Sequence, residues 1–198
     1  MRWNPSPLIR ALSLRPLSPL TPLAPLAPLM LLAAVPAVHA EARIFLSVEQ
    51  AQKKIFGNTA LKQTPVVLTD AQTEKMRAAS SVRQTFRGER IWRTPDGSWF
   101  IVDEVLGKHE MITYALVLNP DLSVRQIDVL EYHESYGYEV ADASWRQQFV
   151  GKTPASAIKL GNDIRNVSGA TLSCKHLTDG VKRLMVMADM VLRSHDGK

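Results

Sequence analysis

The sequence predicts an α+β fold: a mostly antiparallel sheet, N-terminal helices before it, and a long C-terminal helix packed on it. Three observations carry this. Turn signals at Pro95-Asp96-Gly97 and Pro120-Asp121 separate apolar runs rich in β-formers. Two helix-start signatures lie upstream of those runs. An apolar stripe of helical period occupies about residues 172–193.

The first 40 residues differ from the rest. They hold eight of the twelve prolines and no acidic residue. Arg2, Arg10 and Arg15 form a positive segment, LAPLAPLMLLAAV (23–35) an apolar one, and Ala37-Val38-His39-Ala40 a small-x-small cleavage site. This pattern reads as a secretory signal peptide over 1–40, and hence an exported, periplasmic or otherwise extracytoplasmic protein. The alternative, an uncleaved anchor, suits the segment less well. Its apolar run is short and broken by Pro22, Pro25, Pro28 and Pro36.

The 198-residue chain carries 24 Lys+Arg and 19 Asp+Glu. Removing the signal takes away three arginines and leaves a net charge of +2. The basic character of the full chain is thus no argument for a nucleic-acid partner. Cys174 is the lone cysteine, which excludes an internal disulfide, a CxxC redox pair and a cysteine-rich zinc site.

After residue 40 comes an N-terminal helical region, 41–90. Ser47 with Gln50 and Thr69 with Gln72 match capping boxes ahead of two short helices. ERIWRT and SWFIVDEVLG flank the first turn signal, and MITYALVLN and LSVRQIDVLEY flank the second. In the last run Val124, Ile127 and Val129 or Leu130 break strict alternation, which predicts a bulge or burial on both faces. ASWRQQFVG (143–151) predicts a short helix ending at Gly151, and residues 152–164 a loop. In the final helix Leu177, Val181, Leu184, Ala188 and Val191 form the stripe, widened by Met185 and Met187. Gly180 interrupts it, which suggests close approach of another backbone or a ligand. Trp92, Trp99 and Trp145 are expected in the sheet core and the short helix.

The start of that helix is the stretch NVSGATLSCKH, 166–176. Ser168-Gly169-Ala170 lets a bulky group approach the backbone, and Thr171 presents a hydroxyl where unpaired N–H groups and the helix dipole favour an anion. Two readings are open on the residues alone: an ordinary helix start after a glycine turn, or the seat of a phosphate-bearing ligand, bound or attached.

Here the sequence resembles a family. Ser168-Gly169-Ala170-Thr171-Leu172-Ser173 is similar to the SGAT(x)S/T motif of FMN-binding domains, found in the C subunit of the sodium-translocating NADH:quinone reductase, the G subunit of Rnf complexes and small exported flavoproteins. VLEYHESYGYEV…FVGK (129–152) resembles the family's VLEHxETPG…FxGK segment. The resemblance implies an FMN-binding domain within 91–198 and FMN held covalently, as a phosphoester, on Thr171. It implies Ser168, Gly169, Ala170, Leu172 and Ser173 around the phosphate, and Glu134, Ser135, Tyr136 and Gly137 along the ring. It also implies an ApbE-type FMN transferase as a partner, a membrane or periplasmic redox partner, and a role in extracytoplasmic electron transport rather than stand-alone catalysis. The sequence departs from the family's pattern at two points. Arg165 stands where an acidic residue read by the transferase is usual, with Asp163 two residues earlier, and Ser135-Tyr136 replace Thr-Pro. Two other readings are a non-redox binding module of the same fold that is not flavinylated, and a small flavin-dependent reductase.

No metal site is expected. His109, His133 and His176 are isolated, without a paired ligand at short spacing. Cys174 is expected as a small buried residue, its closeness to a helix N-terminus tending to lower its pKa. No GxSxG, Walker or GxGxxG pattern supports a hydrolase, a triphosphatase or a dinucleotide-binding protein.

Overall fold

The computed structural model describes residues 43–134 and 137–194. The expected signal peptide, Ser135 and Tyr136 lie outside the described residues. The fold is α+β, built on a six-stranded antiparallel sheet of order β1-β6-β5-β4-β3-β2. Its strands are β1 (Arg43–Ile44), β2 (Lys62–Gln63), β3 (Ile91–Arg93), β4 (Trp99–Leu106), β5 (Met111–Leu118) and β6 (Val124–Tyr132). Its helices are α1 (Val48–Phe56), α2 (Asp70–Ala78), α3 (Ala143–Arg146) and α4 (Thr171–Met187).

Both capping boxes form. Ser47 N donates to Gln50 Oε1 at 2.8 Å while Gln50 N donates back to Ser47 Oγ at 3.1 Å. Thr69 and Gln72 repeat the exchange at 2.9 and 3.3 Å. Each box satisfies donors that the first helical turn leaves open. The region before residue 90 is nevertheless more than helical. It supplies both edge strands of the sheet, β1 against β6 and β2 against β3.

The long strands are largely buried on both faces, so their apolar residues fall in runs rather than in strict alternation. Trp99, Ile101, Val105, Ile112, Tyr114, Leu116 and Leu118 join the core under α4, with Leu177, Val181, Leu184 and Met185. Phe100, Val102, Ala115, Val117 and Leu130 pack on the other face, with Ala51, Val48 and Ile55 of α1. In β6 the register against β5 slips twice, between Thr113 and Tyr114 and between Val117 and Leu118. Arg125 and Leu130 are the extra residues. Each slip flips the parity of the side chains. That places Val124, Ile127, Val129 and Tyr132 in one core despite their uneven spacing.

The expected helix after residue 142 is α3 followed by a 3-10 turn, Gln147–Phe149, and Gly151 ends it with φ +79°. The final helix begins at Thr171, is α-helical to Met187, and widens to a π-helix over Ala188–Leu192. At Gly180 the close approach is by side chains of the sheet. A Cβ there would stand 2.7 Å from both Tyr114 Oη and Val105 Cγ1, so the glycine lets α4 sit down on the sheet.

One buried ion pair fixes α4. Arg183 donates Nε–H to Asp103 Oδ2 at 2.8 Å and Nη2–H to Asp103 Oδ1 at 2.6 Å. Tyr114 Oη donates to the same carboxylate at 2.8 Å. Burial, and then the Asp103 charge, push the Tyr114 phenol well above its ordinary value. The tyrosine is therefore a permanent donor.

Candidate functional site

The two sequence motifs meet at the N-terminus of α4. Gly137 has φ +84°, and a Cβ on it would stand 2.9 Å from Tyr132 Oη and 3.2 Å from Ala170 Cβ. Glycine is required there twice, for the left-handed backbone and for the contact. Ala170, the N-cap of α4, is buried on this contact and makes no side-chain cap. The first-turn N–H groups of α4 thus lack the side-chain acceptor that serves α1 and α2.

Around this uncapped end the residues are small and open. Ser168, Gly169, Thr171 and Leu172 are exposed. Gly169 has φ +85°, and a Cβ on it would meet nothing within 4 Å. Thr171 Oγ1 accepts a hydrogen bond from Asn166 Nδ2 at 2.9 Å. The amide holds the oxygen in place and leaves the hydroxyl hydrogen to point elsewhere. Ser173 is buried one turn-face inward, with its Oγ 3.2 Å from Tyr132 Oη. Tyr138, which follows Gly137, and Leu172, two residues after Ala170, are both exposed apolar surfaces.

Glu134 is brought to this end of the sheet, where it is tied to the β4–β5 turn. Its Oε1 accepts from His109 N at 2.5 Å and from Glu110 N at 3.1 Å, under Gly107. His176, on the second turn of α4, reaches the same turn. Its Nδ1 lies 2.5 Å from Leu106 O and 2.9 Å from Gly107 O. Carbonyls only accept, so Nδ1 carries the hydrogen. His133 pairs with Glu131 at 2.9 Å. Among the described residues no three His, Cys, Asp or Glu side chains gather as a metal site would need.

Sequence reasoning missed two residues here. One is Asn166, whose contact with Thr171 no spacing rule announces. The other is Glu139, in the 3-10 turn Tyr138–Ala141. Its Oε2 is buried and has no hydrogen-bond partner among the described residues. Its charge reaches both Tyr132 and Cys174. Burial raises the Tyr132 phenol, helped by Glu134 and Glu139 and opposed by the Ser173 hydrogen bond. Burial likewise pushes the Cys174 thiol up, with Glu139 adding to it. The helix-terminus lowering expected for Cys174 is overridden, because the thiol is fully buried. Arg165 faces solvent, its N–H donating to Gln148 Oε1 at 2.8 Å and its carbonyl accepting from Trp145 Nε1 at 2.7 Å. Asp163 is committed to Lys152 Nζ at 2.9 Å and to the backbone of Ile158 and Lys159.

An exposed hydroxyl on an uncapped helix start, approached over a bare glycine, is chemically suited to a phosphate monoester or diester. Residues 107–186 match the FMN-binding domain family. No curated protein matches the chain.

Proposed function

We propose that the chain, whose residues 107–186 match the FMN-binding domain family, is an exported electron-transfer flavoprotein with FMN esterified through its phosphate to Thr171. The observation that carries the reading is the Thr171 hydroxyl itself. It is exposed, oriented by Asn166, and seated on a helix start that has no side-chain cap.

The residues present fit the group. Gly169 leaves open space where a Cβ would stand, and the open N–H groups of α4 favour a phosphate's charge. Glu139 Oε2, buried without a partner, is an acceptor left for an O–H or N–H donor of the bound molecule. When bound, FMN supplies the electron-accepting ring. The protein's part is to hold it: Thr171 by a bond, Ser168 and Ser173 beside the phosphate, Leu172 and Tyr138 as apolar surface. A covalent tether suits an exported protein, since a dissociable cofactor is lost by dilution outside the cell.

The test is the intact mass of protein exported together with an ApbE-type FMN transferase, with Thr171→Ala in parallel. The expected outcome is a gain of FMN minus one water in the parent and none in the variant. Equal, unmodified masses in both would sink the reading.

Arg165 motivates a second reading, a module of this fold that is not flavinylated. Asp163 does not stand in for the missing acid, since Lys152 and two backbone N–H groups already occupy it. If this second reading holds, Arg165→Asp raises flavin incorporation from a trace to a large fraction. A parent already fully loaded would dismiss it.

A further inference from the structure

A second cleft lies far from Thr171, where α2 and residues 82–88 close over the later turns of α4. Its volume is about 270 Å³. That is near the lower end of ligand pockets, roughly 300–1,000 Å³, and fits a small molecule rather than a length of polypeptide. Val66, Met76 and Val82 are buried along its floor, with Phe86 packed beside them.

Its charged lining is all of one sign. Arg77, Arg83 and Arg183 border the cleft, and among the described residues no carboxylate does. Arg77 and Arg83 are exposed and form no ion pair or side-chain hydrogen bond among the described residues. They flank the Ser80–Val82 turn, where a second hollow opens between them. Arg183 forms part of the inner wall and is 2% exposed. Besides its bonds to Asp103 it donates Nη2–H to Glu104 O at 3.1 Å and Nη1–H to Gln84 O at 2.7 Å. Its charge is matched by Asp103, so the cations that face a ligand are Arg77 and Arg83. Unpaired guanidinium groups beside an apolar floor are complementary to a carboxylate on an apolar body.

We propose that this cleft binds a small amphipathic carboxylate, its head held by Arg77 and Arg83 and its chain or ring laid on Val66, Met76, Val82 and Phe86. Arg183 follows Thr171 by twelve residues, about 18 Å along a helix at 1.5 Å per residue. The cleft is therefore separate from the flavin site, and the two readings stand or fall apart.

The experiment is calorimetric titration of the purified protein with decanoate and with 2-naphthoate, as chain and ring probes, and with decanol as the uncharged control. Saturable binding of at least one carboxylate is expected, at least tenfold tighter than decanol and weakened by salt. The Arg77→Gln/Arg83→Gln double variant is expected to lose at least tenfold in affinity while its melting temperature stays within about a degree. Both substitutions are on exposed side chains, so the fold is not at risk. Absence of saturable binding by either carboxylate would overturn the proposal, as would equal binding of decanol or an unaffected double variant. Binding of a polyglutamate peptide in place of both carboxylates would overturn it in favour of an acidic polypeptide partner.

Discussion

The two ends of α4 are built on opposite terms. At Thr171 the helix starts without a side-chain cap, among small exposed residues. Two to three turns on, Thr178, Gly180, Val181, Arg183 and Leu184 are sealed against the sheet, with a buried ion pair among them. One rigid element thus carries an open end and a locked end. The lesson is that an exposed position gains its precision from elsewhere: the locked turns hold the axis, and the axis aims the open turn.

This contrast is open to attack from both ends. The largest effect on stability belongs to Asp103→Ala. It leaves Arg183 and Tyr114 buried without their acceptor and is expected to cost about 3–5 kcal/mol, read by urea unfolding. Gly180→Ala drives a methyl into Tyr114 and Val105. Overpacking of this kind costs about 1–3 kcal/mol, partly offset by the ~1 kcal/mol helix preference of alanine, so a net loss of roughly 1 kcal/mol is expected. Ser173→Ala sits between the two ends and removes the contact with Tyr132, for about 1 kcal/mol in the same assay. Thr171→Ala is expected to fall within about 0.5 kcal/mol of the parent while abolishing flavin attachment. A large stability loss at Thr171, or none at Asp103, would erase the distinction.

Acid sharpens it further. Burial works to raise the Asp163 carboxyl, but the Lys152 hydrogen bond and the N–H groups of Lys159 and Ile158 outweigh it, and its pKa is lowered. A carboxylate depressed in the folded state stabilises above its unfolded pKa, about 3.9, and that contribution is lost as pH falls through the folded value. Asp163→Asn is therefore expected to weaken the protein at neutral pH and to flatten its stability loss below about pH 4, followed by unfolding midpoints.

What the sequence made legible was local. Ser47–Gln50, Thr69–Gln72 and the turn at Pro95-Asp96-Gly97 are read within four residues, and each forms. The uneven apolar spacing of β6 announced its bulges, because parity is a local property too. The two-residue strands β1 and β2 were not legible, since neither carries a pattern and each exists only through a distant partner. At the site, the residues from Ser168 to Ser173 stood out as a contiguous motif. Glu139 and Asn166 did not. Glu139 gains its setting only when Gly137 closes on Ala170, and Asn166 only when the 167–170 turn brings it back to Thr171. Cys174 divides between the two: its place as a small buried residue was legible, while the pull of the helix start on its thiol is outweighed by that burial, which raises its pKa.

The pairing of β1 with β6 also bears on when the protein becomes itself. Arg43 finds its register opposite Tyr132, about ninety residues later in the chain. The first strand to be made finds its partner only in the last. Until the chain has been synthesised through Tyr132, the sheet cannot close its edge, and a long-range contact of this kind is slow to form. The same arrangement sets a hazard: a chain shortened past Ile44 would leave β6 as a bare apolar edge, ready to pair with a second copy.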